Sequence, residues 1–150
     1  MNGEAQHDSS RQKTRIIVVD DHPIVRQGLR LLIDHEPNMV VVAEAETAGQ
    51  ALREIDRQEI DLAIIDISII GSDGVSLTRA MKKRYPELAV LILTMHDELL
   101  YAKRAFKAGA QGYVEKREAA ETIVTAIQTI RNGHTYISQR MAERISRSLG

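Results

Sequence analysis

Five short aliphatic runs alternate with five helical patterns, and this alternation restricts the fold of the chain more than any other feature. Each run is too short for a helix and apolar on both faces, which is typical of strands buried in a parallel sheet. The runs are RIIVVDD (15–21), MVVVAEAE (39–46), DLAIID (61–66), LAVLILT (88–94) and GYVEK (112–116). Strands separated by helices pair in parallel through right-handed crossovers. The sequence therefore predicts an α/β fold, a doubly wound five-stranded parallel sheet in the order 2-1-3-4-5.

The composition excludes several classes of protein. The chain has no cysteine, which rules out disulfides, cysteine-ligated zinc and thiol catalysis. Its 20 basic and 21 acidic residues leave a net charge of −1, so no global field favours nucleic acid. No apolar run approaches the roughly 20 residues that span a bilayer. Residues 1–14 lack the apolar core of a signal peptide and are expected to be a disordered tail. These features predict a soluble cytoplasmic domain.

Polar residues stand at the carboxyl ends of four of these strands. They are Asp20, Asp21, Asp66, Thr94 and Lys116. Taken singly, each has an ordinary explanation as a helix cap, a turn residue or a solvated charge. In a doubly wound sheet, however, all parallel strands end at one edge, where ligands bind at the topological switch point. The sequence thus brings three carboxylates, a hydroxyl and an ammonium to one place.

The chemistry of this cluster suits phosphoryl transfer. Carboxylates held close together repel one another unless a cation is present. Hard oxygen ligands with room for water favour Mg²⁺ over a transition metal. A carboxylate beside Mg²⁺, a lysine and a hydroxyl can act as a nucleophile and become an acyl phosphate. The candidate nucleophile is Asp66, at the end of the third strand.

Four motifs carry a resemblance to a known family. They are VVDDHPIVR (18–26), IIDISIIGSDG (64–74), LTMHD (93–97) and GYVEK (112–116). Together they resemble the response-regulator receiver domain of two-component signalling, which has the flavodoxin-like (βα)5 fold. The segments DDHPIVRQGL, AGAQGYVEK and AIQTIRNGHTYIS are most similar to its NarL/FixJ, LuxR-type subgroup. The resemblance implies a receiver domain over residues 15–133. Residues 134–150 resemble the start of a linker towards a helix-turn-helix output domain, which does not follow here.

The resemblance also implies a role for each site residue. Asp66 is the expected phosphoacceptor, taking its phosphoryl group from a histidine kinase. The expected Mg²⁺ site comprises the acidic pair Asp20 and Asp21, Asp66 and the backbone carbonyl of Ser68, with Asp21 and Asp66 as direct ligands. Lys116 is expected to pair with the phosphoryl oxygens, Thr94 to be the switch hydroxyl, and Tyr113 the aromatic that turns inward with it.

Some positions depart from the family pattern. Ile69 and Ile70 stand where family members usually carry Met-Pro, so we expect a more mobile loop and weaker Mg²⁺ binding. Ser68 and His96 occupy positions that tune loss of the phosphoryl group. Neither is the acid or amide best placed to orient water, which predicts slow self-dephosphorylation. We expect His22, which follows the acidic pair, to pack at a helix start.

The resemblance predicts a signalling protein, not an enzyme, that forms a homodimer on phosphorylation and reaches DNA only through an output domain. Arg140, Arg144 and Arg147 are interpreted as a solvated linker face, not as a DNA-binding patch. A stand-alone receiver or an unphosphorylated pseudo-receiver is one alternative. A haloacid-dehalogenase-type phosphatase is another, although it needs two aspartates one residue apart, whereas Asp20 and Asp21 are adjacent.

Overall fold

A computed structural model describes residues 13–69, 71–95 and 98–149 of the chain. The strands are β1 (Thr14–Val19), β2 (Met39–Ala45), β3 (Leu62–Asp66), β4 (Ala89–Thr94) and β5 (Gly112–Glu115). The helices are α1 (Pro23–Asp34), α2 (Ala48–Arg57), α3 (Gly74–Arg84), α4 (Leu99–Lys107), α5 (Ala119–Arg131) and α6 (Gln139–Leu149), with a 3₁₀ helix at Lys116–Glu118. Most of the expected N-terminal tail lies outside the described residues, but Thr14 already belongs to β1 and is buried.

The five strands form one parallel sheet in the order β2-β1-β3-β4-β5, as the sequence predicts. Asp66 is paired in register with Leu93, and Thr94 with Glu115. The carboxyl ends of β1, β3, β4 and β5 therefore meet at one edge of the sheet. This edge holds the polar residues that the sequence singles out.

The aliphatic strands explain the two-sided core. Alternate side chains of a strand point to opposite faces, so Ile17 and Val19 pack on one side of the sheet and Ile16 and Val18 on the other. All four are fully buried. Burying such a side chain stabilises the fold by about 1.5–3 kcal/mol, and this burial holds both layers of helices against the sheet.

The helices begin where the sequence indicates. The Thr47 hydroxyl accepts a hydrogen bond from the backbone N–H of Gln50, and this caps the N-terminus of α2. Along α1, the side chain of Ile24 is exposed, whereas that of Leu29 is buried. Five helical residues separate the two, a rotation of about 140°, so they cannot share a face. Across the described residues, no helix is long and apolar enough to cross a membrane.

The segment after α5 packs onto the sheet and α4. Tyr136 forms a parallel bridge with Gly112, in which its N–H donates to Gln111 O and its carbonyl accepts from Tyr113 N. Met141 of α6 is completely buried in the same core cluster as Tyr113. Residues 136–149 are thus held against the edge of β5 and the side of α4.

Candidate functional site

Two fully buried carboxylates and one ammonium form the centre of the site. Asp20 directly follows β1 and Asp66 is the last residue of β3, and neither side chain is exposed. Lys116 Nζ lies 2.9 Å from Asp20 Oδ2 and 3.0 Å from Asp66 Oδ2. The structure therefore brings together three of the predicted site residues from positions far apart in the sequence.

The two carboxylates keep Lys116 charged. Burial disfavours the ammonium form, but Asp20 and Asp66 outweigh that effect and hold the pKa of Lys116 above its ordinary value. At neutral pH the site then contains one positive charge against three carboxylates, counting Asp21. The cluster keeps an excess of negative charge, which is the electrostatic condition for binding a cation.

The acidic pair is completed by Asp21, whose side chain is 25% exposed. His22, the residue before α1, makes no side-chain cap of that helix. Its Nδ1 instead lies 2.8 Å from Asp20 Oδ1 and 3.0 Å from Asp21 Oδ1. His22 does lie at the start of a helix, as the sequence predicts. The sequence did not indicate that its ring faces both carboxylates.

The donor atoms fit a divalent cation. One ligand atom each from Asp20, Asp21, His22 and Asp66 can be chosen so that all lie within 4.8 Å of one another. Asp20 Oδ2 and Asp21 Oδ1 are both buried; Lys116 Nζ lies 2.9 Å from the first and His22 Nδ1 lies 3.0 Å from the second. Three carboxylates that converge on a single ammonium favour a bound cation. This acidic pocket can therefore hold a metal ion.

The loop after Asp66 wraps back onto the carboxylate of Asp66. The backbone N–H and hydroxyl of Ser68 lie 3.2 and 3.3 Å from Asp66 Oδ1, and both are donors. The metal-binding role of the Ser68 carbonyl stays a prediction. Ile69 is buried, with 5% of its surface exposed, while Ile70 lies outside the described residues.

Gly74 allows α3 to begin directly against the end of β3. A Cβ at this position would lie 2.7 Å from Ile67 Cα and 2.8 Å from Asp66 O, both of them backbone atoms. The Gly74 N–H also donates to Ile67 O over 2.7 Å. The sequence indicates Gly74 only as part of a turn, because the close approach depends on the tertiary structure.

Arg26 is a second residue that sequence reasoning missed. Its Nη1 donates to the backbone carbonyl of Asp20 over 2.6 Å, and its Nε pairs with Glu44 of β2. The side chain is 12% exposed. Arg26, which belongs to α1, therefore links that helix to β2 and to the main chain at Asp20.

The two predicted switch residues are both buried. Thr94 ends β4 with 2% of its surface exposed, next to the register partner of Asp66. Tyr113 is 3% exposed, and its ring lies 6.4 Å from that of Phe106 in α4. His96, predicted to tune dephosphorylation, lies outside the described residues.

Comparisons with known proteins agree with this geometry. The family model of the response regulator receiver domain matches residues 16–128. The chain is 30% identical over 136 residues to the transcriptional regulatory protein DegU of Brevibacillus brevis, covering 91% of this chain and 58% of that protein. It is 34% identical over 131 residues to the transcriptional activator protein ExaE of Pseudomonas putida, covering 87% and 61%.

A solved structure shows the same fold. It is a two-component response regulator of the LuxR family from Aurantimonas sp. SI85-9A1, with a TM-score of 0.85 and 39% identity, covering 91% of this chain and 97% of that one. The chain spans about three fifths of the length of the two curated relatives. It belongs to the response-regulator receiver domain family of two-component signalling, of the LuxR and NarL type.

Proposed function

We propose that this receiver domain accepts a phosphoryl group on Asp66 from a histidine kinase, with Mg²⁺ as its cofactor. The observation that carries the proposal is the Asp66 carboxylate, fully buried at the end of β3 and in contact with Lys116 beside the acidic pair. Receiver domains bind Mg²⁺ at such an acidic pocket and are signalling proteins, not classic enzymes.

The chain's own residues divide the chemistry between them. A carboxylate oxygen of Asp66 attacks phosphorus, the bond from phosphorus to the histidine nitrogen of the kinase breaks, and that imidazole retains the electron pair and takes up a proton. Lys116 holds its positive charge beside the Asp66 oxygen, where negative charge of the transferring group accumulates. Asp20, Asp21, Asp66 and the Ser68 carbonyl would hold Mg²⁺, which would neutralise charge on the phosphoryl oxygens.

Phosphorylation changes the charge at the sheet edge, and the switch residues respond. When the Asp66 carboxylate becomes an acyl phosphate, its single negative charge is replaced by roughly two. Thr94 then hydrogen-bonds the phosphoryl group, and Tyr113 repacks beneath it against α4. The surface formed by α4, β5 and α5 has two conformations, and the added charge shifts the equilibrium between them. Ser68 and His96 leave self-dephosphorylation slow, with a half-life longer than seconds.

The output is transcriptional control by a DNA-binding domain outside this chain, exerted in the cytoplasm. The names of the relatives support this, because DegU is called a transcriptional regulatory protein and ExaE a transcriptional activator. Phosphorylation promotes a homodimer. Ile24 and Leu31 of α1 are 79% and 75% exposed and share one helix face, so α1 offers apolar surface for this contact.

Trapping with beryllofluoride tests the proposal against its alternatives. With Mg²⁺ present, we expect an adduct on Asp66, detected by ¹⁹F NMR and lost in Asp66→Asn. An adduct on Asp20 would instead support a phosphatase of the haloacid-dehalogenase type. Failure of the wild-type chain to form any adduct would indicate an interaction module that is not phosphorylated.

A Mg²⁺ titration tests the loop expectation. Ile70→Pro restores the proline that the family usually carries, and we expect it to bind Mg²⁺ more tightly than the wild type because the loop is stiffer. Equal affinities for the two proteins would dispose of that idea.

A further inference from the structure

A groove between α3 and α4 opens beside the phosphoacceptor, and most of its side chains take no part in the proposed phosphoryl transfer. Its volume is about 860 Å³. Tyr101, Arg104 and Lys107, spaced three residues apart along α4, line one wall, and Arg79 of α3 lines the other. Pockets of about 300–1,000 Å³ hold small-molecule ligands, so the groove has the size of a ligand site.

The charged side chains of the groove favour an anion. Three of its lining residues are cationic, namely Arg79, Arg104 and Lys107. In the part of the chain that the structure describes, none of the three has an ion pair or a side-chain hydrogen bond. Asp73, the one carboxylate of the lining, accepts hydrogen bonds from the N–H and the hydroxyl of Ser76. The charge of Arg79 is the smallest of the effects that lower the pKa of Asp73. Three positive charges against one negative leave the groove electropositive.

Exposed apolar surface lies next to these charges. Met95 is 62% exposed and Tyr101 is 39% exposed, and both belong to the lining together with Val75 of α3. A thioether and a phenol ring pack well against an aromatic ring. Guanidinium groups bind carboxylate, sulfonate or phosphate oxygens through paired hydrogen bonds. The lining therefore suits a ligand that is both aromatic and anionic.

The two walls of the groove meet near the ends of their helices. A Cβ at Gly109, just after α4, would lie 3.2 Å from Lys82 Cγ of α3. Lys82 Nζ is held in place, because it donates to the carbonyls of Pro86 and Leu88. A groove that closes in this way fits a compact molecule better than an extended peptide or a helix of a partner protein.

We propose that the groove between α3 and α4 binds a small aromatic organic dianion. The ring of the ligand packs against Met95 and Tyr101. One anionic group pairs with Arg79, and the other pairs with Arg104 and Lys107 on the facing wall. Binding needs neither a metal ion nor phosphoryl transfer, so its test does not depend on the proposed function.

A naphthalene disulfonate is the probe, because it has an aromatic body, two permanent negative charges and no phosphoryl group. Titration of the ¹⁵N-labelled chain in EDTA, followed by NMR, should give a dissociation constant of about 0.1 mM, which a ligand of this size reaches at ordinary efficiency. The backbone amide signals of Val75, Tyr101 and Arg104 should shift. Sulfate has the charge without the ring and naphthol has the ring without the charge, and each should bind at least about tenfold more weakly.

A pair of double variants tests the charged walls. Arg79→Gln/Arg104→Gln removes one cation from each wall, and we expect it to weaken probe binding at least about tenfold because two charge-assisted contacts are lost. The control Arg53→Gln/Arg131→Gln removes two exposed arginines of α2 and α5, neither of which has an ion pair among the described residues. We expect the control to stay within about twofold of the wild type.

Four results would each overturn the proposal. The first is a dissociation constant of the wild-type chain above about 5 mM. The second is an equal loss of affinity in the two double variants. The third is sulfate or naphthol binding as tightly as the disulfonate. The fourth is a set of shifts confined to the signals of Asp20 and Asp66, which would place the probe in the acidic pocket instead.

Discussion

Replacing Lys116 by methionine removes the only ammonium that contacts the two buried carboxylates in the described part of the chain. Nζ lies about 3 Å from each, and one such pair is worth about 5–6 kcal/mol before desolvation is subtracted, at an effective dielectric constant of about 20. Breaking a buried pair typically costs 3–5 kcal/mol.

We therefore expect Lys116→Met to lower the free energy of unfolding by about 3–5 kcal/mol at pH 7.5 without Mg²⁺. Mg²⁺ should stabilise the variant more than the wild type.

Urea denaturation in the presence of EDTA or of added Mg²⁺ measures these differences. Lys83→Met is the matched control, because Lys83 is exposed, and we expect it to stay within about 0.5 kcal/mol of the wild type. A loss below about 1 kcal/mol at pH 7.5 would refute the assignment of Lys116 as the counter-charge.

Three further substitutions test the surroundings of the site. Gly74→Ala should destabilise the fold by about 1–3 kcal/mol through the backbone clash with Ile67, and slow phosphorylation, measured by urea denaturation and acetyl phosphate labelling; unchanged labelling would contradict the close approach. Asp73→Ala should cost about 1 kcal/mol at pH 7 by loss of the α3 cap. The hydrogen bond from Ser76 N–H holds the pKa of Asp73 below its ordinary value, so this difference should disappear as the pH falls through that pKa in a denaturation series; a gap that persists would contradict the cap. Met141→Ala should cost about 2–5 kcal/mol if α6 belongs to the folded unit, and a loss below 1 kcal/mol would indicate that it does not.

The sequence is sufficient for the sheet and for the centre of the site. A parallel order with one switch point follows from strands that are apolar on both faces, and strand ends are where such a sheet collects its polar residues. Asp66 and Lys116 could be placed together because each directly ends or follows a strand. Local periodicity and strand position carry that information without any tertiary contact.

The rest depends on distances between segments that are remote in sequence. Arg26 is one of 20 basic residues, and only the fold shows that it reaches the Asp20 carbonyl. His22 is the exception, because it directly precedes Pro23 at the start of α1 and its ring faces Asp20 and Asp21, its neighbours in the sequence. The docking of Met141 depends on a bridge at the β5 edge that no periodicity in residues 134–149 indicates.

The measurement that tests the central claim most directly is phosphorylation of the chain by acetyl phosphate, followed by peptide mass spectrometry. With Mg²⁺ present, the account predicts one phosphoryl group on the peptide containing Asp66, its loss in Asp66→Asn, and little labelling when EDTA replaces Mg²⁺. Lys116→Arg serves as a variant that keeps the charge but moves it. A phosphoryl group on Asp20, or equal labelling of Asp66→Asn and the wild type, would contradict the account.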